Sequence, residues 1–190
     1  MSFGGTMHIE HLVYSTSVAI IFGMFYRFLI GRELSWIIIL SAFAPDLDEL
    51  PCRLSMIILD LTGVDLQIFG TIIVHGDFHN AWVLILYALS IALFLYPVGF
   101  KFFDVFIFSV AGFGAHLLED TLVFSSAYCV LWNLTPLKFG TGIYYKNFYG
   151  IADIDVLIWG FIFLVIALVL RTICERKNWL NEMVDTNRGS

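Results

Sequence analysis

The sequence predicts an all-α membrane protein, a polytopic helical bundle of about five spans with short re-entrant or interfacial helices. Of its 190 residues, 59% are hydrophobic and 14% are charged, and the mean hydropathy of +0.87 lies outside the range of soluble globular proteins. Long apolar runs recur along the chain, and no Ser/Pro-rich linker divides it. We therefore expect one membrane-embedded domain carrying a metal site over residues 1–175 and a short polar cytoplasmic tail over 176–190.

Four apolar runs are long enough, or nearly so, to cross a hydrocarbon core of about 30 Å as helices. They are Leu12–Ile30, Ala81–Val98, Phe102–Leu118 and Ile154–Leu170. The shorter run Leu34–Ala44 is expected to form a short, tilted or half-depth helix, which we count as the fifth crossing. Ser55–Val74 is interrupted by acidic residues and glycine, which suits an interfacial or re-entrant piece.

Basic residues set the predicted orientation of a multi-pass protein in the cell membrane. With five crossings, seven of the ten Lys and Arg residues lie on the side of the C-terminus: Arg27, Arg32, Lys101, Arg171, Arg176, Lys177 and Arg188. The positive-inside rule makes that side cytoplasmic. The N-terminus and residues 45–80 and 116–153 are then extracytoplasmic. An even number of spans is the alternative, and it scatters the motifs described next over both faces.

Charge and cysteine content exclude some classes of partner and of site. The net charge of -6 gives no basic face, so we expect no nucleic-acid partner. Cys52, Cys129 and Cys174 are far apart in sequence and form no Cys-x-x-Cys motif, so neither a thiolate metal site nor a disulfide framework is indicated. Membrane lipids are the expected surroundings.

All five histidines fall on the side assigned as extracytoplasmic or at the outer end of a span. The four-residue spacings His75-x-x-x-His79 and His116-x-x-x-Asp120 each place two ligand side chains on one face of a helix, if the third span begins near His75. In Pro45-Asp46-Leu47-Asp48-Glu49, proline ends the preceding helix and alternate carboxylates can both turn inward. Acids this close to a membrane boundary repel one another unless something neutralises them.

Mixed imidazole and carboxylate ligands suit zinc, with manganese or iron as alternatives. The candidate ligands exceed what one tetrahedral ion uses, so we expect two or more ions: His11, Asp46, Asp48, His75, His79, His116 and Asp120. Ions a few ångströms apart can activate water and clamp the oxygens of a phosphoester. Glu49 is the candidate catalytic base, and His8 and Glu119 are additional candidates. For each residue alone, a turn or an interfacial hydrogen bond is the competing interpretation.

The order of these motifs resembles the YdjM-like, LexA-regulated membrane-bound metal-dependent hydrolases. The matching positions run over about residues 8–137: His11, Pro45-Asp46-Leu47-Asp48, His75-Gly76-Asp77-Phe78-His79, Gly112-Phe113-Gly114-Ala115-His116-Leu117-Leu118-Glu119-Asp120, Leu131-Trp132 and Pro136. That family is in turn similar to zinc-dependent phospholipase C and related single-strand nucleases. The chain departs from the family at Gly76 and Asn80, where the family usually has Arg and Ser. The missing Arg removes an anion contact.

Residues and resemblance together predict a membrane-embedded metal-dependent hydrolase that acts on a phosphoester, such as a lipid, through metal-activated water. The alternative is a non-enzymatic divalent-metal transporter or metal-binding membrane protein that uses the same ligands. A transporter also needs polar residues along a path at midmembrane, and Ala81–Val98 and Ile154–Leu170 offer almost none. A scaffold with ordinary polar histidines is the third interpretation, and it requires no metal.

Overall fold

The computed structural model describes residues 7–63, 76–123, 138, 140–143 and 152–188. Within these ranges the chain is helical and contains no β-strand, which confirms the predicted all-α class. The helices are α1 (Met7–Ile30), α2 (Ser35–Ser41), α3 (Glu49–Thr62), α4 (Ala81–Leu95), α5 (Phe102–Val123) and α6 (Ala152–Arg188), with short 3-10 helices at Pro45–Asp48 and Tyr96–Val98.

Four stretches are long and apolar enough to cross a membrane: Ile9–Ile30, Ala81–Val98, Phe102–Val123 and Val156–Lys177. They coincide with the four long apolar runs of the sequence, because a helix satisfies its own backbone hydrogen bonds where lipid offers no partners. The fold is therefore compatible with an integral membrane protein. The region predicted as a polar tail continues as the same helix, since α6 runs to Arg188.

The segment Leu34–Ala44 takes the short form that was expected. Its helix α2 has seven residues, so it is about 10 Å long and does not cross a core of about 30 Å by itself. Pro45 then opens the 3-10 helix Pro45–Asp48, which leads directly into α3. The α3 helix is amphipathic and leaves several apolar side chains exposed, as expected of an interfacial helix: Leu50, Leu54, Ile57 and Leu61.

Helix α1 packs against α2, α5 and α6, and α4 packs against α5. Their shared core is made of buried apolar side chains from four helices: Ala19, Ile37, Ile38, Ala92, Val105 and Phe108. At one end of the bundle, the buried carboxylate of Asp104 accepts hydrogen bonds from Tyr26 (2.7 Å) and from Arg32. These bonds connect α5 to α1 and to the loop that follows α1.

Helices α5 and α2 approach closely at Gly112. A Cβ atom at this position would lie 2.8 Å from both Ile38 Cα and Ser41 Cβ, and closer still to the carbonyl oxygen of Ile38. Only a residue without a side chain allows this approach, so Gly112 is what lets the two helices pack closely. Gly114 is different, because a Cβ there would meet only Leu84 Cδ1 at 3.9 Å.

Candidate metal centre

The polar cluster lies at the end of the bundle opposite Asp104, and four separate segments of the chain supply it. The first turns of α1 carry His11, the 3-10 helix after α2 carries Asp46, and the residues just before α4 carry His79. The C-terminal half of α5 carries His116 and Asp120 one helical turn apart. Their 3.5 Å contact confirms the predicted shared face.

His79 and His116 form the centre of the cluster, with their Nε2 atoms 3.2 Å apart. Asp46 Oδ1 lies 3.5 Å from the first nitrogen and 3.6 Å from the second. Asp120 Oδ2 lies 3.4 Å and 3.5 Å from the same two nitrogens. Tetrahedral zinc ligands with bonds of about 2.1 Å are about 3.4 Å apart. Each carboxylate thus completes a triangle with the two imidazoles at the spacing of ligands that share an ion.

His11 forms a second group with His116 and Asp120, whose ligand atoms lie within 4.8 Å of one another. The His11 ring stacks on that of His116 with centroids 4.0 Å apart, and its Nε2 is 4.0 Å from Asp46 Oδ2. Asp46 thus directs one oxygen to His79 and His116 and the other to His11. A carboxylate placed in this way can bridge two ions.

The cluster is almost sealed from the surroundings, since His79 and His116 are each 1% exposed and Asp120 is 3% exposed. Two of its atoms, His116 Nδ1 and Asp120 Oδ2, are buried and form no hydrogen bond within the described part of the chain. Burying polar atoms without partners costs free energy, and burying a carboxylate costs more. A bound cation would remove that cost at Asp120, so the donor set fits a metal ion.

Electrostatics in the metal-free protein agree with this geometry. Burial alone would raise the pKa of Asp46, but hydrogen bonding to His79 and the three nearby imidazoles hold it below its ordinary value. Burial alone would lower the pKa of His79, but the carboxylates of Asp46, Asp48 and Asp120 raise it to about 9. The carboxylates of the cluster therefore favour positive charge at His79. Without a metal ion, a proton on the imidazole supplies this charge.

Asp48 is predicted as a metal ligand, and in the structure its carboxylate accepts hydrogen bonds from the backbone. Its fully buried Oδ2 accepts hydrogen bonds from the backbone N–H groups of Gly76 (2.8 Å) and Phe78 (3.1 Å), and it lies 3.8 Å from His79 Nδ1. The carboxylate therefore orients the turn and, from the Nδ1 side of the ring, the imidazole of His79. Glu119 occupies the same position relative to His11, with its Oε2 2.9 Å from Nδ1. Such outer carboxylates fix the ring orientation of histidine ligands.

The third span does not begin near His75, as the predicted shared helical face of His75 and His79 required. Helix α4 begins at Ala81, because the side chain of Asn80 accepts hydrogen bonds from the N–H groups of Trp82 (3.1 Å) and Val83 (3.0 Å) and caps the helix there. His79 precedes the cap and follows a turn in which Gly76 has φ of 104°. The imidazole is thus aimed by the turn and by Asp48, not by helical register.

Of the other candidates, His75 lies outside the described residues, and His8 is described only as a backbone position in α1. Glu49 accepts a hydrogen bond of 2.6 Å from Arg53, one turn further along α3. The contact of Glu119 with His11 joins residues 108 positions apart, so no local pattern in the sequence indicates it.

Comparison of the chain with protein-family models, with curated proteins and with solved structures gives no match.

Proposed function

We propose that the protein is a membrane-embedded metal-dependent hydrolase that cleaves a phosphoester. The observation that carries the proposal is the spacing of 3.2–3.6 Å that links the Nε2 atoms of His79 and His116 to each other and to one oxygen each of Asp46 and Asp120. Buried imidazoles and carboxylates at this spacing match the ligand set of hydrolytic zinc sites better than an ordinary polar core, in which each buried group has its own hydrogen-bond partner.

Zinc is the metal that the donors favour, and two ions fit the arrangement better than one. His79, His116 and Asp46 would hold the first ion, and His11 would hold the second, beside the other oxygen of Asp46. Bound divalent metal would supply an activated water molecule and would stabilise the negative charge that develops on a phosphoester.

The protein's own groups would orient the ligands and accept the proton. Asp48 and Glu119 would fix the rings of His79 and His11 from their outer sides. Glu49 is the proposed proton acceptor. Its carboxylate accepts a hydrogen bond from Arg53, which holds the side chain in place.

Resemblance to the YdjM-like hydrolases supports the same function and suggests a lipid phosphoester as substrate. We also propose that the metal centre faces the extracytoplasmic side and that the C-terminus is cytoplasmic, as the distribution of basic residues favours. Gly76 replaces the Arg of that family, and its φ of 104° is a conformation that residues with side chains rarely adopt. In this protein the metal centre alone would therefore contact the negatively charged phosphoester.

The test is a hydrolysis assay with detergent-purified, zinc-loaded protein against a panel of phosphodiesters and phospholipids. We expect the wild type to cleave at least one of them, Glu49→Gln to retain zinc but lose turnover, and Asp46→Asn to lose both. The conservative change Asp60→Asn, at an exposed position of α3, is the control and should change neither. Zinc binding without hydrolysis of any substrate would contradict the proposal and favour the non-enzymatic metal-binding alternative.

A further inference from the structure

An apolar groove runs along α1, below the metal centre. It has a volume of about 350 Å³, which lies within the range of small-molecule binding pockets. Its lining consists of Val18, Ile21, Phe22, Phe25, Tyr26 and Leu29. With the exception of the tyrosine hydroxyl, these side chains are wholly apolar, so the groove suits a hydrocarbon and not a polar ligand.

The groove lies on the same face of α1 as His11. Val18, Phe22, Phe25 and Leu29 follow His11 by seven, eleven, fourteen and eighteen residues. At about 100° per residue, all four point within about 40° of the direction of His11. With a rise of about 1.5 Å per residue, the groove starts about 10 Å from His11 along the helix and ends about 27 Å from it.

The aromatic wall of the groove, formed by Phe22 and Tyr26 of α1, rests against helix α5. Phe22 and Tyr26 pack edge-on against Phe108, with ring centroids 5.3 Å and 4.9 Å apart. The hydroxyl of Tyr26 is fixed by its hydrogen bond to Asp104, so the aromatic wall is held at both its middle and its lower end. On the open side, Phe25 is 62% exposed. In a helix able to span a membrane, that side opens to lipid.

We propose that this groove binds one alkyl chain of a membrane lipid whose phosphoester head lies at the metal centre. The inference rests on the proposed hydrolase function and names its substrate class as a long-chain lipid phosphoester. Lipid tails are as apolar as the lining, so no hydrophobic driving force favours the groove over the bilayer. Preference comes instead from close packing against the fixed aromatic wall, and a chain held there would position the phosphoester near His11.

Photolabelling tests the groove without requiring turnover. The zinc-loaded protein is reconstituted in phosphatidylcholine vesicles that contain phosphatidylcholine with a diazirine in one acyl chain, and the labelled peptides are mapped after irradiation. We expect the label to concentrate on residues 18–29 of α1. Val18→Trp, which fills the upper end of the groove, should reduce this labelling several-fold. The matched control Leu93→Trp changes an exposed position of α4 and should leave it unchanged.

Equal labelling of α1, α4 and α6 would overturn the inference, because lipid would then coat the bundle without preference. Unchanged labelling of α1 in Val18→Trp would overturn it as well. Selective labelling of α1 by a protein that hydrolyses no phosphoester would refute the hydrolase proposal and leave the groove intact. Loss of zinc in His79→Ala should abolish hydrolysis but not labelling, which separates the two sites.

Discussion

Replacing Gly112 by alanine places a methyl group in the contact between α5 and α2, and we predict a loss of both stability and bound metal. The added Cβ would lie 2.8 Å from Ile38 Cα and closer to the carbonyl oxygen of Ile38. Both are backbone atoms, so no rotamer change relieves the overlap and α2 must move. Overpacking costs about 1–3 kcal/mol, while alanine gains about 1 kcal/mol over glycine in helix propensity. The net loss is thus up to about 2 kcal/mol.

The displacement should also reach the metal centre, because α2 leads directly into the 3-10 helix that carries Asp46. Gly114→Ala is the matched control, since its Cβ meets only Leu84 at an ordinary distance of 3.9 Å and should stabilise α5 by up to about 1 kcal/mol. Thermal unfolding in detergent and zinc content are measured for both variants and the wild type. Gly112→Ala protein that unfolds at the wild-type temperature with full zinc content would show that the contact between α5 and α2 tolerates the methyl group.

Three further predictions concern the ligand shell. Asp48→Asn should weaken zinc binding by about 10–100-fold through the orientation of His79, as measured by competitive titration; equal binding to wild type would show that the carboxylate orients nothing. Glu119→Gln should lower the affinity of the ion held by His11 while the first ion stays, which two-step zinc titration resolves; loss of both ions together would contradict the two-ion assignment. Because the pKa of His79 is raised to about 9 in the metal-free protein, zinc must displace its proton, so zinc affinity should rise about tenfold per pH unit up to about pH 9. Protonated His79 should also stabilise the metal-free fold fully below about pH 6.5, and this stabilisation should be lost as pH rises to about 9. A zinc affinity or a stability that does not change with pH in the wild type, or that changes equally in His79→Gln, would contradict these predictions.

Local patterns in the sequence were sufficient to predict the parts of the fold that depend on short-range geometry. The apolar runs predict the spanning helices because their length must match the membrane. The spacing of His116 and Asp120 predicts their shared face because both lie within one helix. Asp46 was also predicted, since Pro45 fixes where α2 ends and the next turn begins.

The remaining features depend on contacts between distant segments, which one sequence does not display. The spacing of His75 and His79 resembled a helix, yet the cap at Asn80 starts α4 later. Asp48 binds backbone N–H groups 28 and 30 residues further along the chain, so its role as the support of a turn has no sequence signature. Gly76 is the one local hint, because a glycine in place of a larger residue indicates an unusual backbone conformation.

Elemental analysis of detergent-purified protein tests whether the buried cluster is a metal centre. We expect the wild type to retain a transition metal, zinc first, in at least stoichiometric amount, and His79→Ala and His116→Ala to lose it while remaining folded. Wild-type protein that takes up no metal even after incubation with zinc, or variants that bind as much as the wild type, would contradict this expectation.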